Sequence, residues 1–370
     1  MRDLNKFRGC LIGGAAGDAL GYAVEFQQAS DIFREYGEDG ITSYSLTNGV
    51  AEISDDTQMS LFTANGLLFG ATRVHMRGIG SEAGYLYNAY LDWYATQTCP
   101  YPAPDADYIS WLMNVPGLFH RRAPGNTCLT ALSSGKAGTM QKPINRSKGC
   151  GGVMRVAPIG IYYSDSPIKI EDSDLIAAEA AAITHGHELG YTSSAALAHI
   201  VRRLSENQSE TVRSAVMDAI RVVPTLFPDA EHMGKLVGLM QKAVDLAVSE
   251  LDDLDAIRQL GAGWVAEETL AIAVYCAIKH EHSVEKALIA SVNHDGDSDS
   301  TGAVTGNILG TRLGYGAIPR KYVEKLELRD IILEMADDLF QDCRISEHGE
   351  YYGPLWESKY IRADFRPPEG

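Results

Sequence analysis

The chain has 370 residues, 45% of them hydrophobic and 22% charged, with 32 basic and 49 acidic side chains for a net charge of −17. That charge argues against binding nucleic acid through phosphate contacts and against a polybasic membrane anchor. Six cysteines at 10, 99, 128, 150, 276 and 343 show no CxxC and no tight spacing, the usage of reduced thiols in a cytosolic protein rather than a disulfide framework.

In chain order, the first predicted helix covers 6–26. Its run "MRDLNKFRGCLIGGAAGDAL" imitates a signal peptide, but Asp18 interrupts it and glycine replaces leucine, so the signal reading is rejected. Further predicted helices cover 55–71, 79–95, 126–138, 174–185, 189–205, 209–223, 231–249, 264–279, 283–292, 300–313 and 329–340. "GITSYSL" at 40–46 is the best strand candidate. Loops fall at 99–107 and 141–152. From 344 a tail with Tyr351, Tyr352, Trp356 and Tyr360 is aperiodic; it packs back on the surface or meets a second subunit. No apolar run approaches the roughly 18 residues of a membrane span, so the expectation is a soluble, cytoplasmic, all-α protein of one compact domain, 1–370.

Two glycine series recur every four residues: Gly9, Gly13, Gly17, Gly21 and Gly302, Gly306, Gly310. On a helix each makes a smooth stripe. An interior glycine costs about 1 kcal/mol against alanine, so the stripes predict close approach of helix backbones; the alternative is that some of these glycines lie in loops.

"ISDDTQM" (53–59) opens the second predicted helix, with Ser54 as N-cap and Asp55 and Asp56 favoured by the macrodipole. Alone it is an ordinary helix start. "NHDGDSDSTG" (293–302) supplies a second acidic cluster before the second glycine stripe. It is no EF-hand. A loop starting at Asp295 has Ser300 at the sixth position, and one starting at Asp297 has Ile308 at the twelfth, where Gly and Glu are required. One cluster offers too few oxygens for a hard divalent cation; two facing clusters suffice for a two-metal centre with open positions for water or substrate. The alternative is two unrelated acidic caps.

The order of these motifs resembles the ADP-ribosylglycohydrolase family. "GCLIGGAAGDALGYAVEF" comes first, then "SDDTQM", "GNTC" (125–128), "GCGGVMRVAPIGI" (149–161), "THGHELGY" (184–191) and "VNHDGDSDSTGAVTGNILG" (292–310), covering about 6–315. The resemblance implies an all-α fold, a compact single-domain orthogonal helical bundle, with a dinuclear centre of Mg²⁺ or Mn²⁺. It implies Ser54, Asp55, Asp56, Asp297, Asp299 and Ser300 as metal ligands, with serine where many relatives carry threonine at 54 and 300. Glu25 is implied beside the scissile bond. Glu25, Asp55 and Asp56 are the catalytic candidates, unranked. Asn126, Thr127, Gly151, Gly152 and His185 are implied against ADP-ribose, and a glycine-rich loop suits a pyrophosphate because its N–H groups are unobstructed. His185 and His187 lack the further soft ligands a zinc site needs. Cys150 and Lys148 depart from relatives with asparagine and an aromatic residue there, so position 148 offers no ring for adenine to stack on; Lys148 is an alternative phosphate contact.

The implied activity removes mono-ADP-ribose from a modified protein side chain, most nearly arginine. The alternatives are a two-metal hydrolase of another ADP-ribose derivative or phosphoester, or a binding protein that neutralises an ADP-ribosyltransferase toxin by occluding it.

Overall fold

The computed structural model describes residues 1–343 and 353–368. The chain starts with α1 (Leu4–Tyr22), α2 (Ala29–Tyr36), α3 (Asp55–Arg77) and α4 (Glu82–Thr98). There follow α5 (Asn126–Ser133), α6 (Ala157–Tyr162), α7 (Ile170–Ala182) and α8 (Glu188–Glu206). Next come α9 (Val212–Leu226), α10 (Met233–Leu246), α11 (Asp253–Arg258) and α12 (Ala266–Lys279). The last four are α13 (Val284–Val292), α14 (Ser298–Leu313), α15 (Arg329–Gln341) and α16 (Gly353–Tyr360). The fold is all-α: among the described residues there are sixteen α-helices, short 3₁₀ turns, three isolated β-bridges and no strand.

Helix boundaries follow local chemistry. Ser54 caps α3 by accepting from Asp56 N, and the helix ends at Gly78, whose φ of 73° is a left-handed stop. Asp297 caps α14 by accepting from Ser300 N. Ser81 caps α4, which is why the helix expected from 79 begins at Glu82.

At the centre α1 and α14 run antiparallel, glycine against glycine. A methyl group added at Gly9 would meet Gly310 O, at Gly13 Gly306 O, and at Gly17 Gly302 O. Every position of α14 from Ser298 to Thr311 is buried, so its polar side chains bond internally: Thr301 Oγ1 donates to Ser291 O at 2.7 Å and Asn307 Nδ2 to Cys10 O at 2.9 Å. The other helices wrap this pair, and one hydrophobic cluster extends from Phe7 to Tyr360.

Residues 40–46 form no strand. Ile41 is buried, but its backbone pairs with a side chain: Ile41 N donates to Asn293 Oδ1 (2.8 Å) and Asn293 Nδ2 donates to Ile41 O (3.1 Å). One amide takes the place of a neighbouring strand. In the tail, Tyr351 and Tyr352 lie outside the described residues. Helix α16 packs back on the body: Trp356 Nε1 donates to Thr72 Oγ1 (3.1 Å), and Lys359 and Tyr360 both bond Asp338.

Candidate active site

Helix α1 delivers Glu25 just past its C-terminal end, the start of α3 delivers Asp55 and Asp56, and the start of α14 delivers Asp297, Asp299 and Ser300. Because α1 and α14 are antiparallel, the end of one lies beside the beginning of the other, as the closeness of Gly21 to Ser298 O records. Helix α3 is tied to the pair by Asp18, buried in α1. Its carboxylate accepts from Ser54 N (3.0 Å), Thr57 N (3.1 Å) and the Thr57 hydroxyl.

These elements line one cleft of about 570 Å³. It brings together Glu25, Asp55, Asp56, Asp297, Asp299, Ser300, Asn126, Thr127, Gly151 and His185. Ser54 and Gly152 stand behind the wall. Ser54 Oγ caps α3, and a methyl on Gly152 would press on Ala181 and the His185 ring. Ligand atoms of Glu25, Asp297 and Asp299 lie within 4.8 Å of one another. The glutamate expected beside the scissile bond therefore also belongs to the acidic group.

So many carboxylates cannot all ionise unaided. Burial first, then Asp299, pushes Glu25 up to about 10, and the same two causes raise Asp18 to about 7. Asp55, Asp56 and Asp297 are likewise held well above the ordinary range by burial and then by Asp299. Asp56 Oδ2 and Glu25 Oε2 are buried without a hydrogen-bond partner. An all-oxygen donor set with unpartnered carboxylate oxygens fits a hard divalent cation.

The opposite wall is the 149–152 turn, held by Ala266 N donating to Lys148 O (2.9 Å) and Cys150 N to Trp264 O (3.3 Å). A side chain at Gly151 would strike His185 Cε1 and Cys128 Sγ at about 3 Å, so the backbone itself forms the surface there. Lys148, considered above for a phosphate, is held by the buried carboxylate of Glu267, which also takes Lys235 at 2.9 Å.

Several residues that build or line the site escaped the sequence reading. Asp18 looked only like an interruption of an apolar run. Arg121 is the one cationic side chain among the lining residues. Its neighbours are pinned to α3, with Gln58 Nε2 donating to His120 O and Asp55 N to Arg122 O, both at 3.0 Å. Phe26 and Trp264 stack at the mouth, centroids 5.9 Å apart and planes 17° apart, with 74% and 43% of their surfaces exposed. No short motif announces that pair, since the two rings lie far apart in sequence.

An acidic cluster thus faces a glycine-walled groove inside an all-α body. The chain belongs to the ADP-ribosylglycohydrolase family, whose pattern it matches over residues 1–348. It is similar to the protein of Bos taurus named ADP-ribosylhydrolase ARH3, 23% identical over 379 residues, spanning 92% of this chain and 94% of that one. It is also similar to ADP-ribosylarginine hydrolase Tri1 of Pseudomonas putida (strain GB-1), 24% identical over 347 residues, 91% of this chain and 78% of that one. A solved structure described as an ADP-ribosylglycohydrolase-related protein complex shares the fold with a TM-score of 0.56 at 22% identity, covering 91% of this chain and 98% of its own. Membership makes the chain a hydrolase of ADP-ribose glycosidic bonds. Among the described residues no helix is long and apolar enough to cross a membrane.

Proposed function

We propose that this chain is a metal-dependent ADP-ribosylhydrolase that frees mono-ADP-ribose from modified protein side chains, with arginine as the preferred acceptor. The observation that carries this reading is the single cleft in which the acids of α3 and α14 face the 149–152 turn and His185. The single hydrophobic cluster supports treating 1–370 as one domain.

Ser54, Asp55, Asp56, Asp297, Asp299 and Ser300 would hold two divalent cations, Mg²⁺ or Mn²⁺. Bound there, such ions supply positive charge that orients the vicinal hydroxyls of the ribose and acidifies water. Asn126, Thr127, Gly151 and His185 hold the rest of ADP-ribose against the opposite wall, with Gly152 supporting that wall from behind. Cleavage breaks the bond from the anomeric carbon to the acceptor nitrogen and forms one from that carbon to a water oxygen. The water's proton leaves to a carboxylate, and the departing guanidine nitrogen gains one. Glu25, Asp55 and Asp56, which line the cleft, are the carboxylates we assign to these two proton transfers, unranked between donor and acceptor.

The arginine preference rests on charge and shape. A cationic guanidinium suits an acidic cleft in a chain of net charge −17, and the exposed Phe26–Trp264 face offers a planar cation a surface to stack on. The name of the Pseudomonas putida relative points the same way. Matched arginine-linked and serine-linked ADP-ribosyl peptides, incubated with and without Mg²⁺ or Mn²⁺, test the proposal. Free ADP-ribose released faster from arginine is expected. Faster release from serine overturns the preference, and release of inorganic phosphate or a nucleoside monophosphate overturns the reaction class.

A further inference from the structure

Arg155 is fully buried behind the 149–152 turn, and among the described residues it has no carboxylate partner. Its guanidinium lies 4.2 Å from the centre of the Tyr90 ring. Nη2 donates to Ala180 O and to Thr184 Oγ1, each at 2.8 Å, and Nη1 faces Met59 Sδ at 3.5 Å and Cys128 Sγ at 3.6 Å. A desolvated cation resting on a carbonyl, a hydroxyl, two sulfurs and a ring is an expensive arrangement. It asks for a purpose beyond packing.

Hydrogen-bond logic supplies one. Guanidinium nitrogens only donate, so towards Arg155 the Thr184 oxygen must accept. The one hydroxyl hydrogen is then free for another acceptor. His185 Nδ1 lies 2.9 Å away; the Cys128 thiol, also beside the hydroxyl, is a far weaker acceptor. Nδ1 is the stronger acceptor of the two, so the arrangement favours donation of that hydrogen to Nδ1, which then carries none of its own. Burial, reinforced by the Arg155 charge, pushes the ring down to about 3, so it is neutral and keeps a single proton. That proton is on Nε2. The Nε2 edge of the ring faces the glycine turn, where a methyl at Gly149 would sit 3.5 Å from Nε2, and the ring lines the cleft.

We propose that Arg155 and Thr184 are positioning residues that lock His185 as the Nε2–H tautomer, so that the cleft presents a neutral hydrogen-bond donor to a diphosphate oxygen of ADP-ribose. The inference rests on the function proposed above and deepens it. Diphosphate oxygens only accept, and the opposite tautomer would turn a lone pair towards them. The cation itself stays buried, lending positive potential while the mobile donor remains uncharged.

Histidine-selective ¹⁵N labelling with long-range ¹H–¹⁵N correlation reads the tautomer directly, the His185 resonances being those lost in His185→Asn. The intact protein should show Nε2 protonated and Nδ1 bare. Thr184→Val, which removes the hydroxyl, should release that tautomer and weaken ADP-ribose binding by about tenfold or more in titration calorimetry, while Thr184→Ser restores both. A protonated Nδ1 in the wild-type protein overturns the proposal by itself, even if Thr184→Val fails to fold. A Thr184→Val protein with unchanged tautomer and affinity overturns it too. Wild-type protein that shows the stated tautomer yet fails to bind ADP-ribose refutes the functional reading instead.

Discussion

Gly306→Ala adds one methyl group at the tightest part of the α1–α14 seam. That carbon would sit 1.9 Å from Gly13 O and 2.4 Å from Gly13 C, whereas ordinary contact begins near 3.4 Å. The obstacle is backbone, which cannot rotate aside as a side chain can. The helices must separate by roughly an ångström or more, and overpacking of this kind costs about 1–3 kcal/mol or more. Against it stands the gain of about 1 kcal/mol for replacing a helical glycine by alanine. A control isolates the two effects: Gly238, on the exposed side of α10, has nothing within 4 Å of an added methyl. Gly238→Ala should therefore gain stability by about 1 kcal/mol, while Gly306→Ala loses it. Urea unfolding, with midpoints and slopes fitted for each protein, gives both values. Hydrolysis by Gly306→Ala should also fall, because α14 carries Asp297 and Asp299 at its head. Equal midpoints for Gly306→Ala and wild type, or a reversed order of the two variants, would refute the reasoning.

Asp299→Asn should abolish hydrolysis while leaving the circular dichroism and the urea midpoint close to wild type; an active variant at ordinary metal concentration removes Asp299 from the ligand set. Chelation should stop turnover and Mg²⁺ or Mn²⁺ should restore it, with full activity in excess chelator as the contrary result. Asp92, buried in α4 and accepting from Ile109 N and Ser110 N at 2.9 and 2.8 Å, is pushed up to about 7 by burial. A raised folded-state value means that its contribution to stability is fully present below the ordinary carboxylate range and is lost as pH rises through about 7. Asp92→Asn should accordingly remove a slope of up to about 1.4 kcal/mol per pH unit between roughly pH 4 and 7, and parallel stability–pH curves for variant and wild type would count against it.

The acidic clusters were legible because their donors are neighbours in sequence, and chemistry written in adjacent residues needs no tertiary information. Asp18 was not. Its meaning depends on Ser54 and Thr57, which reach it only when α3 docks on α1. The glycine spacing foretold close helix contact, yet nothing local says that the two stripes meet each other. Among the helices, α2, α6, α11 and α16 went unpredicted. Helix α6 has six residues, all buried, with Pro158 in its first turn, so it lacks both the length and the polar face that periodicity detects. The strand expected at 40–46 failed for the converse reason: its alternation was present, but the partner was the side chain of Asn293. The tautomer of His185 lay further out of reach, since it depends on a guanidinium, a hydroxyl and a ring converging from the turn after α7 and the segment before α6.

The glycine seam also sets a schedule for synthesis. Asp56 and Asp297 are separated by some 240 residues, which a ribosome adding about 5–20 residues per second takes roughly ten to fifty seconds to traverse. Through that interval α1 has emerged without the surface it was shaped for, and its glycines make it a poor helix alone. Only when α14 appears does the nascent chain acquire both the other half of its carboxylates and the groove-filling partner of its first helix. A chain interrupted before residue 297 would thus be catalytically empty and unfinished at its own beginning, leaving a small-residue, apolar N-terminal segment for chaperones or proteases to find.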